Sequence, residues 1–179
     1  MKIIGVGGTL RNGSYSKALL LEAQKLAPEG IVIELTDIRE FPLYNADIDM
    51  PLVVQDFKNK VKAADAILFS TAEYNYSVPG SLKNALDWGS RPYGDNSWED
   101  KPAAIMSEST GMLGGVRAQY HLRQMVLFTN MHVLNKPEVM VGKVAEKFDE
   151  NGNLFDEHTK EKLKELLGAL VDWTERLNK

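Results

Sequence analysis

The sequence predicts an α/β fold, a doubly wound five-stranded parallel sheet with helices on both faces, and three observations lead to it. Apolar runs rich in branched residues alternate with helical patterns along the whole 179 residues, as they do where strands are covered above and below. The hydrophobic fraction, 44%, is enough for one core without disulfide staples, so residues 1–179 read as a single domain. Five strands in so short a chain suit this sheet better than a larger six-stranded dinucleotide fold.

Lys2 to Val6 reads as the first strand. The helix from Ser16 to Ala27 follows, with Leu19, Leu20, Ala23, Leu26 and Ala27 at helical spacing, and Pro28-Glu29-Gly30 stops it. Ile31 to Leu35 is the second strand. A helix from Pro51 to Ala63 then presents Val54, Phe57 and Val61 on one face. Ala66 to Ser70 is the third strand, and Ser81 to Trp88 spaces Leu82, Ala85 and Leu86 by one turn. The polar Gly89 to Asp100 loop, with Arg91, Tyr93 and Trp98, is a surface connection or borders an acceptor site. Ala103 to Met106 is the fourth strand, and the helix Val116 to Phe128 offers Tyr120, Leu122, Met125 and Val126 for burial. The fifth strand lies near Met131 to Leu134, with a continuation past Pro137 into Val139 to Val141. From His158 onward, Leu163, Leu166, Leu167, Leu170, Trp173, Thr174 and Leu177 trace one helical stripe. The pattern is flavodoxin-like, and there the ligand sits outside the carboxyl ends of the strands. The loops after strands one, three and four are therefore the informative ones.

Composition removes several function classes. There is no cysteine, hence no thiolate zinc site, Cys-ligated iron-sulfur cluster, cysteine nucleophile or CxxC redox pair. Any redox chemistry must come from a cofactor. A net charge of −4 without a basic run argues against nucleic-acid partners. Met1 to Gly8 is too short and too glycine-broken for a signal peptide, and no segment reaches the roughly 18 apolar residues of a membrane span. The expected setting is cytoplasmic, without membrane insertion.

The first loop, Gly7-Gly8-Thr9-Leu10-Arg11-Asn12-Gly13-Ser14-Tyr15-Ser16, joins a strand to a helix with the parts that bind phosphate. Glycine tightens the turn, the helix N-terminus offers free N–H groups, the hydroxyls donate, and Arg11 brings a forked cation. It is neither a Walker A loop nor a dinucleotide fingerprint, since no Gly-Lys-Ser/Thr follows and Leu10 stands where the third glycine belongs. Simple helix capping is the plainer role for the same residues. In the second loop, Ala72 to Gly80, Tyr74 and Tyr76 provide flat walls for a planar ligand, or pack on their neighbours. The third, Ser107 to Arg117, is again rich in glycine and hydroxyls.

Gly8 to Ser14 resembles the G-S-x-R-x-x-S phosphate loop of the NADPH-dependent FMN reductase family, and Glu73 to Trp88 is similar to that family's most specific stretch. Gly114-Gly115-Val116-Arg117-Ala118-Gln119-Tyr120-His121-Leu122-Arg123-Gln124 resembles a motif of its bacterial quinone and chromate reductase branch. The resemblance implies non-covalent FMN, hydride from NADPH or NADH, and a small-molecule electron acceptor: quinone, free flavin, azo dye or metal oxyanion. It implies that Thr9, Arg11, Ser14 and Ser16 hold the phosphate, with Tyr15 also among the cofactor-binding residues. Glu73, Tyr74, Asn75 and Tyr76 would line the ring, largely through backbone, with Ser109 on its other side and Thr110, Gly111 and Gly114 as further cofactor-binding candidates. It also implies a homodimer or homotetramer with FMN near the interface; Arg117 and Tyr120 are candidates to face a neighbouring subunit and meet Glu138 there, and a plain exposed helix arginine is the alternative for Arg117. Three departures stand out: Ser16 where Asn is usual, Ala72 where Pro is usual, and Glu108 where a small hydroxyl residue is common. A carboxylate beside an anionic ligand should either point away or weaken NADPH binding.

Such a site works by a ping-pong cycle in which the flavin carries the chemistry, so no side chain is nominated as acid or base. His121, His132 and His158 lack ligand spacing and read as structural or surface residues, and no metal is expected. Two rivals keep the scaffold: a flavodoxin-type single-electron carrier, against which Arg11 counts, and a flavin-free interaction or sensor protein.

Overall fold

The computed structural model describes residues 1–178. Strand β1 (Lys2–Gly7) leads through α1 (Tyr15–Lys25) to β2 (Val32–Thr36), and α2 (Leu52–Ala63) returns to β3 (Ala66–Ala72). Helix α3 (Gly80–Gly89) precedes β4 (Pro102–Glu108), and α4 (Val116–Phe128) precedes the short strands β5 (His132–Val133) and β6 (Val139–Val141). Helix α5 (Glu157–Leu177) follows. The strands pair in parallel in the order β2-β1-β3-β4-β5, with β6 also on β4. This is the flavodoxin-like order, and its winding reverses between β1 and β3.

Strand alternation sorts the core into two layers. Ile3, Leu68, Ala104 and Met106 face α1 and α5, meeting Leu19, Leu20, Leu163, Leu167 and Leu170. Ile4, Val6, Phe69 and Ile105 face the other side, meeting Phe57, Leu82, Leu122 and Val126 from α2, α3 and α4. The fifth strand position is divided between β5, which pairs with Pro102 and Ala103, and β6, which pairs with Met106 to Glu108. Pro137 lies between the two and has no N–H to give a ladder.

Other boundaries move as well. Helix α1 starts one residue earlier than the spacing suggests and ends at Lys25, with Leu26 as its C-cap. Strands β3 and β4 each run two residues further, so Ala72 and Glu108 belong to strands rather than loops. Trp98 is not at a surface loop: it is fully buried, packed edge-on against Phe57, with its indole N–H donating to the Leu86 carbonyl at 3.1 Å. On α4, Tyr120 is left exposed while Gln119 is buried in its place. The buried stripe of α2 also takes in Lys58, whose ammonium is satisfied by the carbonyls of Arg91 and Asp95 and by the Asp95 carboxylate at 2.9 Å.

Candidate cofactor site

The three loops converge where the winding reverses. Ser14 stops the extended backbone of the first loop and caps α1, its Oγ accepting the Lys17 N–H at 3.4 Å. The Thr9 and Ser14 hydroxyls are hydrogen-bonded to each other, and Arg11 folds back so that Nη2 donates to the Gly13 carbonyl at 2.9 Å. Two hydroxyls and a guanidinium thus surround the first free amides of a helix, a ready anion cradle.

The second loop is a tight two-residue turn. Tyr74 and Ser77 exchange backbone hydrogen bonds of 2.8 and 3.0 Å, with Asn75 at φ +50° and Tyr76 at φ +67°. Asn tolerates that left-handed backbone, whereas Tyr does so only where the surroundings hold it. Arg117 is the restraint: its guanidinium lies 4.1 Å from the Tyr76 ring centroid, and Nη1 donates to Glu73 at 2.9 Å. Glu73 also accepts the Arg117 backbone N–H at 3.1 Å, a carboxylate placed at the start of α4, whose N-cap is Gly115. His121 and Ser77 add a 3.1 Å contact. Within its own chain Arg117 is paired with Glu73 and not with Glu138. Arg117 serves the turn within its own chain, and Glu138 accepts from the Tyr120 hydroxyl at 3.4 Å. The Glu73 carboxylate is thereby engaged with Arg117 through both its oxygens.

In the third loop, Gly111 and Gly114 lie against the segment 140–143. Lys143 donates its N–H to the Gly111 carbonyl at 2.8 Å. A Cβ on Gly114, at φ +61°, would lie 2.6 Å from the Met140 carbonyl carbon. Gly114 thus lets the loop fit closely against Met140, and neither glycine lines the cavity that the loops enclose. Buried Gln119 holds this region from below, donating to Ser107 Oγ at 3.1 Å and to the Val139 carbonyl at 3.0 Å.

A cavity of about 210 Å³ gathers what remains. Its walls include Thr9, Arg11, Ser14 and Tyr15 from the first loop, Glu73 and Tyr74 from the second, and Ser109 and Thr110 from the third. Asn75, Tyr76 and Ser16 do not line it. Ala72 and Glu108 do, side by side at the ends of paired strands, and both were marked only as departures. Glu108 shares the parity of Ala104 and Met106, which turns it inward toward α1 instead of away from the site. It is 5% exposed, and the fully buried Ser16 donates to its Oε1 at 2.9 Å. Burial pushes the Glu108 carboxyl up, while the Ser16 hydrogen bond and the charge of Arg11 draw it partly back.

The cradle fits the phosphate of a flavin mononucleotide, and the turn beside it fits an apolar ring with polar edges. Residues 1–146 match the family model of NADPH-dependent FMN reductases. The chain belongs to that family.

An NAD(P)H-dependent FMN reductase of Pseudomonas aeruginosa is 48% identical over 99% of this chain and 97% of its own length. An NADPH:quinone oxidoreductase of Arabidopsis thaliana is 46% identical over 99% of this chain and 93% of its own. The solved flavoenzyme NAD(P)H:(acceptor) oxidoreductase FerB of Paracoccus denitrificans superposes with a TM-score of 0.90 at 37% identity, covering 98% of this chain and 97% of that one. As an FMN reductase the protein is an FMN-dependent NAD(P)H oxidoreductase, which removes the flavin-free and carrier readings. Among the described residues no cluster of His, Asp and Glu could hold a metal, and no helix is long and apolar enough to cross a membrane.

Proposed function

We propose that this FMN reductase takes hydride from NADPH or NADH and delivers the electrons to quinones above all, with free flavin, azo compounds and metal oxyanions as further acceptors. The observation that carries this is the single cavity in which the α1 anion cradle adjoins the Glu73–Tyr74 turn and the Ser109–Thr110 segment. When bound there, FMN supplies the two-electron chemistry. Thr9, Arg11, Ser14 and Tyr15 would hold the phosphate, with the α1 amides. Backbone N–H groups of the second and third loops orient the ring and favour its reduced form, and Tyr74, half exposed, leaves one side open to nicotinamide and acceptor in turn. No protein group has to move a proton, consistent with ping-pong turnover. We further propose a single cytoplasmic domain that assembles as a homodimer or homotetramer, with Arg117, Tyr120 and Glu138 as interface candidates. Exposed Tyr76, Met112 and Phe128 lie on or beside α4 and support that reading. Anaerobic titration of the purified protein with NADH and NADPH, followed at the flavin absorbance and then by reoxidation with each acceptor class, tests it. Bleaching by either nucleotide and rapid recovery with quinone are expected; a protein that ignores added FMN overturns it.

A further inference from the structure

We propose that Glu108 links flavin retention to pH, because FMN binding draws a proton onto its carboxyl group. The inference rests on the FMN reading above and concerns a residue that this chain places in its own cavity. The FMN phosphate brings roughly one and a half to two negative charges near neutral pH, and the cradle offers Arg11 as its one cationic side chain among the cavity's walls. Glu73, the other carboxylate of those walls, is neutralised by Arg117 at 2.9 Å. Glu108 has no such partner. Its contact is the Ser16 hydroxyl, a neutral donor, and it is nearly sealed from water. The groups facing it are Arg11 and Tyr15 from the first loop and α1, Glu73 and Tyr74 from beyond β3, and Ser109 and Thr110 next in chain. Only one of these is a free cation, and the phosphate claims it.

A phosphate dianion and an ionised Glu108 in one small cavity repel, with little water around the buried carboxylate to screen it. The neutral carboxyl removes the repulsion, and its O–H becomes a donor toward the ligand side of the site. Ser16 and Glu108, two departures from the usual family residues, thereby form one device: the hydroxyl that would serve the phosphate holds the carboxyl in place. The sign follows from linkage. A group whose proton is held more tightly in the complex makes binding stronger at low pH, with affinity falling as pH rises through the free protein's titration, by up to tenfold per pH unit.

The test is calorimetric titration of flavin-stripped protein with FMN, and separately with riboflavin, between pH 5 and 9, in buffers of different ionisation enthalpy. Wild type is expected to take up as much as one proton with FMN at the pH where Glu108 is ionised in the free protein, and clearly less with riboflavin, which lacks the phosphate. Glu108→Gln is expected to abolish the difference and to bind FMN more tightly than wild type at pH 9. Ser16→Ala, which keeps the carboxyl but removes its donor, should shift the proton-uptake window to higher pH. Equal proton uptake by wild type and Glu108→Gln across the range overturns the proposal, as does equal uptake with FMN and riboflavin if Glu108→Gln does not fold. Failure of FMN to bind wild type at any pH would instead overturn the cofactor reading beneath it.

Discussion

Arg11 is the cation of the cradle, yet the fold hardly depends on it, since its one hydrogen bond is to the exposed Gly13 carbonyl. Arg11→Ala should therefore leave the unfolding midpoint unchanged while weakening FMN about 10- to 100-fold, the worth of a charge-assisted hydrogen bond. Fluorescence-quenching titration measures it. Arg117 and Glu73 are different, because their partly exposed pair restrains a strained turn. A double-mutant cycle with Arg117→Ala and Glu73→Gln should give a coupling of about 1 kcal/mol in stability. Either variant should also weaken FMN, through the loosened Tyr74–Ser77 turn. At this scale the gathering of Thr9, Arg11 and Ser14 in one cavity was legible, because hydroxyls, glycine and one arginine fall together at a strand-to-helix junction. The direction of Glu108 was not legible once the fourth strand was ended at Met106. Carried to position 108, the same alternation that buries Ala104 and Met106 points it inward. The pairing of Arg117 with Glu73 was not legible, because its partner lies 44 residues away and sequence spacing carries no sign of it.

Helices with a clean apolar stripe were legible to within a residue or two, and α4 has the predicted bounds. Their buried polar members were not: Lys58 and Gln119 sit on inward faces, where composition argues for solvent and only the stripe's geometry argues for burial. The start of α5 offers a pH test. Asp156 caps the helix, accepting the Thr159 N–H at 2.8 Å and pairing with Lys147 at 2.8 Å. Chiefly the Lys147 contact, then Thr159, lowers its pKa from 3.8 to about 2. A group depressed in the folded state contributes stability above its unfolded value and loses it as pH falls through the folded one. Asp156→Asn should thus narrow its stability gap to wild type as pH is lowered from about 4 to about 2. Denaturant melts at fixed pH steps check this, and a gap that stays constant would show that Asp156 titrates normally.

At the level of the whole molecule, the parallel, doubly wound sheet followed from the alternation of runs and helices, whereas the split of the fifth position did not, since two and three residues are too short to show a period. The absence of cysteine has a simple outcome: activity should survive thiol-blocking reagents and chelators and vanish with the flavin. FMN at a hundredfold excess over its dissociation constant should stabilise the fold by about 2.7 kcal/mol, read as a rise in melting temperature. The cavity also draws its walls from both layers: α1 packs on one face of the sheet, while the turn after β3 is tied to α4 on the other. Flavin bound there acts as a clasp across the sheet. In hydrogen–deuterium exchange, stripping it should speed amide exchange at the carboxyl ends of β1, β3 and β4 in both layers together, while the strands' opposite ends keep their protection.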